Sequence, residues 1–141
     1  MRTRLLAAPL ALFLLLTSVG IAAADTVPSE QNLAIVVTSA TVQVQTGVVT
    51  VTGQITCDVA LYELSASVNI SQGRVSGEGD DIGLSCVAGE TVPFTISFSA
   101  DSGRFSPGPA EMGLEAQGVG QGQRYGFVTE GPLSIVLEPT R

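Results

Sequence analysis

Apolar and polar positions alternate along most of the chain. Val49, Val51, Gly53, Ile55 and Cys57 are separated by Thr50, Thr52, Gln54 and Thr56. Tyr62, Leu64, Ala66, Val68 and Ile70 alternate with Glu63, Ser65, Ser67 and Asn69, and Val92, Phe94, Ile96 and Phe98 with Thr95, Ser97 and Ser99. Shorter pieces repeat the pattern at Val42/Val44, Ile82/Leu84/Cys86, Met112/Leu114/Ala116, Tyr125/Phe127 and Leu133/Ile135/Leu137, after a continuously apolar run at Leu33 to Val37. A period of two puts alternate side chains on opposite faces of a strand, so each segment reads as a half-buried strand. Beyond residue 24 no stretch keeps a 3.6-residue period over three turns, which predicts no helix there. Turn residues punctuate the pattern at Thr46-Gly47, Ser71-Gln72-Gly73, Glu78-Gly79-Asp80-Asp81, Ala88-Gly89-Glu90, Asp101-Ser102-Gly103, Gly118 to Gln123 and Glu130-Gly131-Pro132. The result is an all-β domain of about eight or nine strands over residues 33–141. Two packed antiparallel sheets, a sandwich, are expected, with a small closed barrel as the alternative.

The first 24 residues follow another rule. Arg2 and Arg4 precede an apolar run from Leu5 to Leu16, and Ala22-Ala23-Ala24 supplies small residues for a peptidase. That is the layout of a secretory signal peptide, with cleavage expected after Ala24. The apolar core is short for a membrane span of roughly 20 residues. Asp25 to Asn32 has no strand pattern and is expected to be a loose mature N-terminus. The expected product is a secreted, extracellular protein with no membrane insertion after cleavage.

Cleavage changes the composition. Of 141 residues, 24 go, leaving 117; two arginines go with them, so the formal charge moves from −7 to −9. An acidic monomer is expected. Nucleic-acid binding needs clustered cations, and Arg74, Arg104, Arg124 and Arg141 are scattered. Two cysteines, Cys57 and Cys86, in an exported chain predict one disulfide. Both fall on the apolar phase of their strands, so the bridge would brace the core. Only 29 positions separate them and no Trp lies between, unlike a true immunoglobulin domain. The expected fold is therefore an immunoglobulin-like sandwich rather than a member of that family.

The chain has no His, and all six of its Lys+Arg residues are Arg. Ser-His-Asp, Cys-His and Ser-Lys arrangements and Schiff-base chemistry are thereby removed. A glycosidase needs only two carboxylates, but also a sugar cleft. The mature chain has Tyr62, Tyr125, Phe94, Phe98, Phe105 and Phe127, with at least four of them on the expected core phase. A non-enzyme without a cofactor is the expectation.

Three features are candidates for binding. Glu78, Asp80 and Asp81, read as an acidic hairpin tip, are weak calcium candidates, although their spacing matches no EF-hand loop. Gly118 to Gln123 resembles a phosphate loop only superficially, lacking Lys and a following helix. Gly103 to Ala110 contains Arg104 beside Phe105 between rigid turns. That pair is either a plug for the end of the sandwich or an exposed recognition element. Tyr125 is a further interaction candidate.

The order Gly53-Gln54-Ile55-Thr56-Cys57, Ser71-Gln72-Gly73-Arg74, Ser85-Cys86 and Gly103 to Ala110 resembles small secreted actinobacterial proteins of unknown function with a single two-Cys immunoglobulin-like domain. The likeness covers most of residues 40–137, with Phe94 standing where the pattern favours Trp. It implies no catalytic residues. The expected role is extracellular interaction with an unknown protein or glycan, or a structural module. A small apolar ligand carrier, a carbohydrate-binding module and a calcium-binding domain are the alternatives.

Overall fold

A computed structural model of the chain describes residues 32–123 and 125–141. The expected signal peptide, and the expected loose N-terminus up to Gln31, lie outside the described residues. Seven strands follow: β1 (Leu33–Gln43), β2 (Val49–Cys57), β3 (Leu61–Gln72), β4 (Val75–Cys86), β5 (Thr91–Phe98), β6 (Gly108–Val119) and β7 (Tyr125–Thr140). The one helical element among the described residues is a single 3-10 turn at Gln121–Gln123, between β6 and β7.

The strands form one sheet in the order β4-β3-β6-β7-β1-β2-β5. All pairings are antiparallel except β1 with β7, which run parallel over Thr41–Gln43 and Glu138–Thr140. β7 carries the sheet round its corner. Its stretch from Tyr125 to Leu137 pairs with β6, and its last three residues cross to β1. The sheet curls until its two edges, β4 and β5, meet. The Asp101 amide donates to the Ser76 carbonyl at 2.9 Å, and the Thr95 amide donates to Asp81 Oδ2 at 3.3 Å. The product is a sheet nearly closed into a barrel, which leaves little free edge for stray pairing.

The strand count is lower than the eight or nine expected, because two pairs of segments merge. Leu33–Val37 and the Val42 segment form one β1, joined through a bulge between Val37 and Ser39. The Tyr125 and Leu133 segments form one β7. Its ladder with β6 continues on both sides of Gly131-Pro132, from Leu114 opposite Glu130 to Met112 opposite Leu133. Glu130-Gly131-Pro132 is thus a bulge inside a strand and not a turn. Glu78-Gly79-Asp80-Asp81 is also no hairpin tip, since it lies mid-strand in β4, paired with β3 through Asn69↔Glu78 and Ser67↔Asp80. Gly79 serves packing there. A Cβ on it would lie 2.7 Å from Phe98 Cδ1 and 2.8 Å from Ile96 Cγ2, so only glycine lets β5 close over β4.

The core fills the inside of the curl. Val42, Val51, Ile55, Leu61, Leu64, Val68, Ile70, Phe94, Ile96, Met112 and Leu137 are all essentially sealed from solvent, and among the described residues no buried polar side chain joins them. Phe94 is the largest. Its ring covers its cross-strand partner Gly53, where a Cβ would run into both the ring and the Val36 carbonyl. Burying such a ring is worth about 2–3 kcal/mol.

Candidate functional site

The disulfide is formed between Cys57 and Cys86, with Cα atoms 6.4 Å apart. Cys57 ends β2 and Cys86 ends β4. The bridge therefore ties β4, one edge of the curled sheet, to β2, the strand next to the other edge, two strands that no ladder joins. Both cysteines are buried. A buried bridge of this kind fits an oxidising compartment.

Arg104 and Phe105 do not form an exposed pair. The Phe105 ring is only 3% exposed and meets Phe98 edge-on, with centroids 6.1 Å apart. Gly77 in β4 packs against the same ring, since a Cβ there would lie 3.2 Å from Phe105 Cε2. Phe105 is thus the plug of this end of the curl. The exposed Arg104 is also committed, because its guanidinium donates to the Val44 carbonyl at 2.8 Å and to the Gln45 carbonyl. Gly47, at φ 75°, gives its stem room in the β1–β2 turn. Gln72 holds the other flank by bonding the Ser106 carbonyl and amide at 2.8 and 3.0 Å. Together these contacts strap the Gly103–Ala110 segment across the barrel end.

The three carboxylates considered for calcium are divided by the strand they share. Glu78 and Asp80 point outward, whereas Asp81 is half-buried on the opposite phase and caps the β5 edge through Thr95. Three oxygen ligands that face two ways do not converge on one ion. Among the described residues no group of three acidic, His or Cys residues is placed to hold a metal.

Tyr125 belongs to a different assembly. Gly126 and Val128 point inward, so Tyr125 and Phe127 point out, inverting the expected phase. The cause lies behind them. Gly118 and Gly126 are cross-strand partners, and Leu61 and Leu33 fill the space above them. A Cβ on Gly126 would lie 2.9 Å from Leu61 Cδ1 and 3.0 Å from Leu33 Cγ. The inside is full without an aromatic ring. On β3 a register shift between Leu61 and Leu64 sends Tyr62 outward as well. On β4, Gly83 at φ 78° breaks the alternation, leaving Ile82 72% exposed.

The consequence is an apolar outer patch of Tyr62, Ile82, Val119, Tyr125 and Phe127 on neighbouring strands. Tyr62 is 54% and Tyr125 52% exposed. The Tyr125 and Phe127 rings are nearly parallel, 13° apart with centroids at 6.5 Å. The Tyr125 hydroxyl donates to Gln117 Oε1 at 2.7 Å, which fixes the ring. Between Tyr62, Ile82 and Tyr125 runs an open groove of about 440 Å³, floored by Ser65 and Gly118 and rimmed by Glu63 and Gln117. The alternation predicts at least four of the six aromatics inside; Phe94, Phe98 and Phe105 are buried, while Tyr62, Tyr125 and Phe127 are not. Two signals in the sequence point this way, the inward small-residue column Ala116-Gly118 on β6 and Gly126 between the two aromatics.

No family model matches the chain, and no curated protein matches it. Two solved structures share its fold. One is a candidate ApaA protein from Bordetella pertussis, 18% identical, with a TM-score of 0.53 over 77% of this chain and 94% of that one. The other is the C-terminal domain of wzt, 10% identical, with a TM-score of 0.51 over 80% of this chain and 76% of that one. At these identities the likeness concerns the all-β fold alone.

Charge divides along the sheet. β1, β2 and β5 carry no charged residue. Their outer face is lined by hydroxyls that largely bond one another, such as Thr50 to Ser97 at 2.9 Å and Thr56 to Thr91 at 3.0 Å. β3, β4, β6 and β7 carry Glu63, Glu78, Asp80, Asp81, Glu111, Glu115, Glu130 and Glu138, and no Lys or Arg. The aromatic groove opens on this acidic half.

Proposed function

We propose that the chain is a secreted, non-enzymatic extracellular binding module whose recognition surface is the outer face at Tyr62 and Tyr125. In this reading residues 1–24 are the export signal, and the two halves of the curled sheet act as the leaves of an immunoglobulin-like sandwich joined through β7. Export is supported by the basic start, apolar run and Ala22-Ala23-Ala24, together with the buried disulfide. A non-enzymatic role is supported by a composition lacking both His and Lys.

One observation carries the binding role. Five large apolar side chains stand exposed on one continuous face, although the core behind them is full. Monomeric proteins seldom leave such a cluster in water without a partner for it. Tyrosines in such a cluster offer broad apolar area with few rotamers to freeze. The groove is open to solvent, which favours recognition of a surface or chain over enclosure of a small apolar molecule. A glycan is the second reading, favoured by the fixed, nearly parallel rings of Tyr125 and Phe127.

The test compares the protein with Tyr62→Ala/Tyr125→Ala on the surface fraction of the producing culture. Retention that drops at least about tenfold in the variant, with far-UV circular dichroism and melting temperature unchanged, is expected. Equal retention by both proteins would remove the face from the account.

A further inference from the structure

The outward side chains of β6 change character along the strand. Val119 and Gln117 lie at the aromatic groove; Glu115 and Glu111 follow towards the other end. Ser67 on β3 pairs with both Asp80 and Glu115, so those two carboxylates flank it in one row across the sheet. Glu63 stands at the groove itself. Two further depressions continue the same face beyond the groove, one of about 260 Å³ at Asn69, Glu111 and Pro132 and one of about 480 Å³ at Ser71, Glu111 and Ser134. From Val119 to Glu111 the track spans eight residue steps, about 27 Å at the rise of an antiparallel strand. Neither Lys nor Arg stands on any of the four strands that form it.

Resting on the binding role above, we propose that this track docks an extended, basic polypeptide segment of a partner protein. An apolar side chain of that segment seats between Tyr62 and Tyr125, and its lysine or arginine side chains run along Asp80, Glu115 and Glu111. Charge complementarity selects this occupant. Carboxylates on strands that carry no Lys or Arg repel an anionic chain, attract a cationic one and steer its approach. A neutral glycan accepts or donates hydrogen bonds there but brings no positive charge to match a row of carboxylates. The tyrosine faces add a second attraction, since ammonium and guanidinium groups sit favourably over such rings. A second copy of this chain is a poor occupant, because it would bring the same carboxylates against themselves.

The test uses isothermal titration of the purified protein with a synthetic peptide of alternating lysine and serine that carries one leucine anchor. The same peptide with lysine replaced by glutamine or by glutamate, and a neutral oligosaccharide, serve as the other arms. The lysine peptide is expected to bind at least about fivefold more tightly than the glutamine peptide, with no binding of the glutamate peptide. Raising NaCl from about 0.05 to about 0.5 M should weaken binding about tenfold. Tyr62→Ala/Tyr125→Ala should weaken it about tenfold, and Glu115→Gln about threefold. Lysine-peptide binding that ignores the tyrosine substitutions would overturn the proposal, because it would reduce to general attraction by an acidic protein. Tyrosine-dependent binding of the oligosaccharide without the peptide would overturn the partner class and leave the face as a binding site. Failure of every probe, with surface-fraction retention still tyrosine-dependent, would likewise refute only the basic segment; loss of that dependence too would refute both.

Discussion

Replacing Phe105 by Ala separates a plug from a recognition residue. The ring is 3% exposed, meets Phe98 edge-on at 6.1 Å and rests against Gly77. Truncating a buried phenylalanine costs about 3–5 kcal/mol, the sum of lost transfer free energy and the cavity left behind. The edge-on pairing with Phe98 falls within that range, because the same deletion removes it. A domain of this size loses roughly 4–6 °C of melting temperature per kcal/mol, so Phe105→Ala should melt about 12–30 °C lower. Arg104→Ala gives the contrast. It removes two exposed hydrogen bonds to carbonyls, worth about 1 kcal/mol. Thermal unfolding followed by circular dichroism, with urea unfolding to obtain the free energies, measures both. Phe105→Leu should recover more than half of the loss, since it refills most of the volume. A Phe105→Ala protein that melts within about 3 °C of the original would refute the reasoning, because a ring supporting the end of the curl cannot be removed at so little cost.

Other outcomes follow from the same contacts. A free-thiol assay on denatured, unreduced protein should find no thiol, and Cys57→Ser/Cys86→Ser should lose about 3–4 kcal/mol in urea unfolding, the loop-closure entropy for a separation of 29. Gly53→Ala should destabilise by about 2 kcal/mol or more, since its Cβ meets the Val36 carbonyl as well as the Phe94 ring, and overpacking against backbone relaxes poorly. A chemical-denaturation curve unchanged from the original would contradict that packing. Adding millimolar calcium should leave the melting temperature unchanged, because Asp81 faces away from Glu78 and Asp80. A rise of several degrees would show that the three carboxylates converge after all.

The strand register of the interior was legible from residue pattern alone wherever a strand lies over the core with its alternation unbroken by a bulge. Val49 to Cys57 and Phe94 to Phe98 sit inside on the expected phase. The disulfide followed from cysteine count and export signal. Glycine was the main source of misreading. At Gly79 and Gly131 it resembles a turn signal, but one position admits Phe98 and Ile96 and the other makes a bulge in a strand whose ladder continues. Period-two alternation also cannot tell inside from outside when both phases hold apolar or small residues. Tyr125 and Phe127 took the outward phase because Leu61 and Leu33, far away in sequence, already fill the space over Gly126. That competition for interior volume is a tertiary fact, and it is what creates the outer patch. The wrap of β7 from β6 to β1 was equally illegible, because three parallel residue pairs leave no mark on composition.

Contact through the outer face at Tyr62 is tested most directly by site-specific photo-crosslinking. A photoreactive phenylalanine analogue placed at Tyr62 is compared in the producing culture with one at Thr50, on the uncharged hydroxyl face. Both positions point outward, so neither substitution enters the core. Adducts of higher mass from position 62 and none from position 50 are the expected result. Adducts from position 50 without any from position 62 would contradict the account and move the contact surface to β1, β2 and β5.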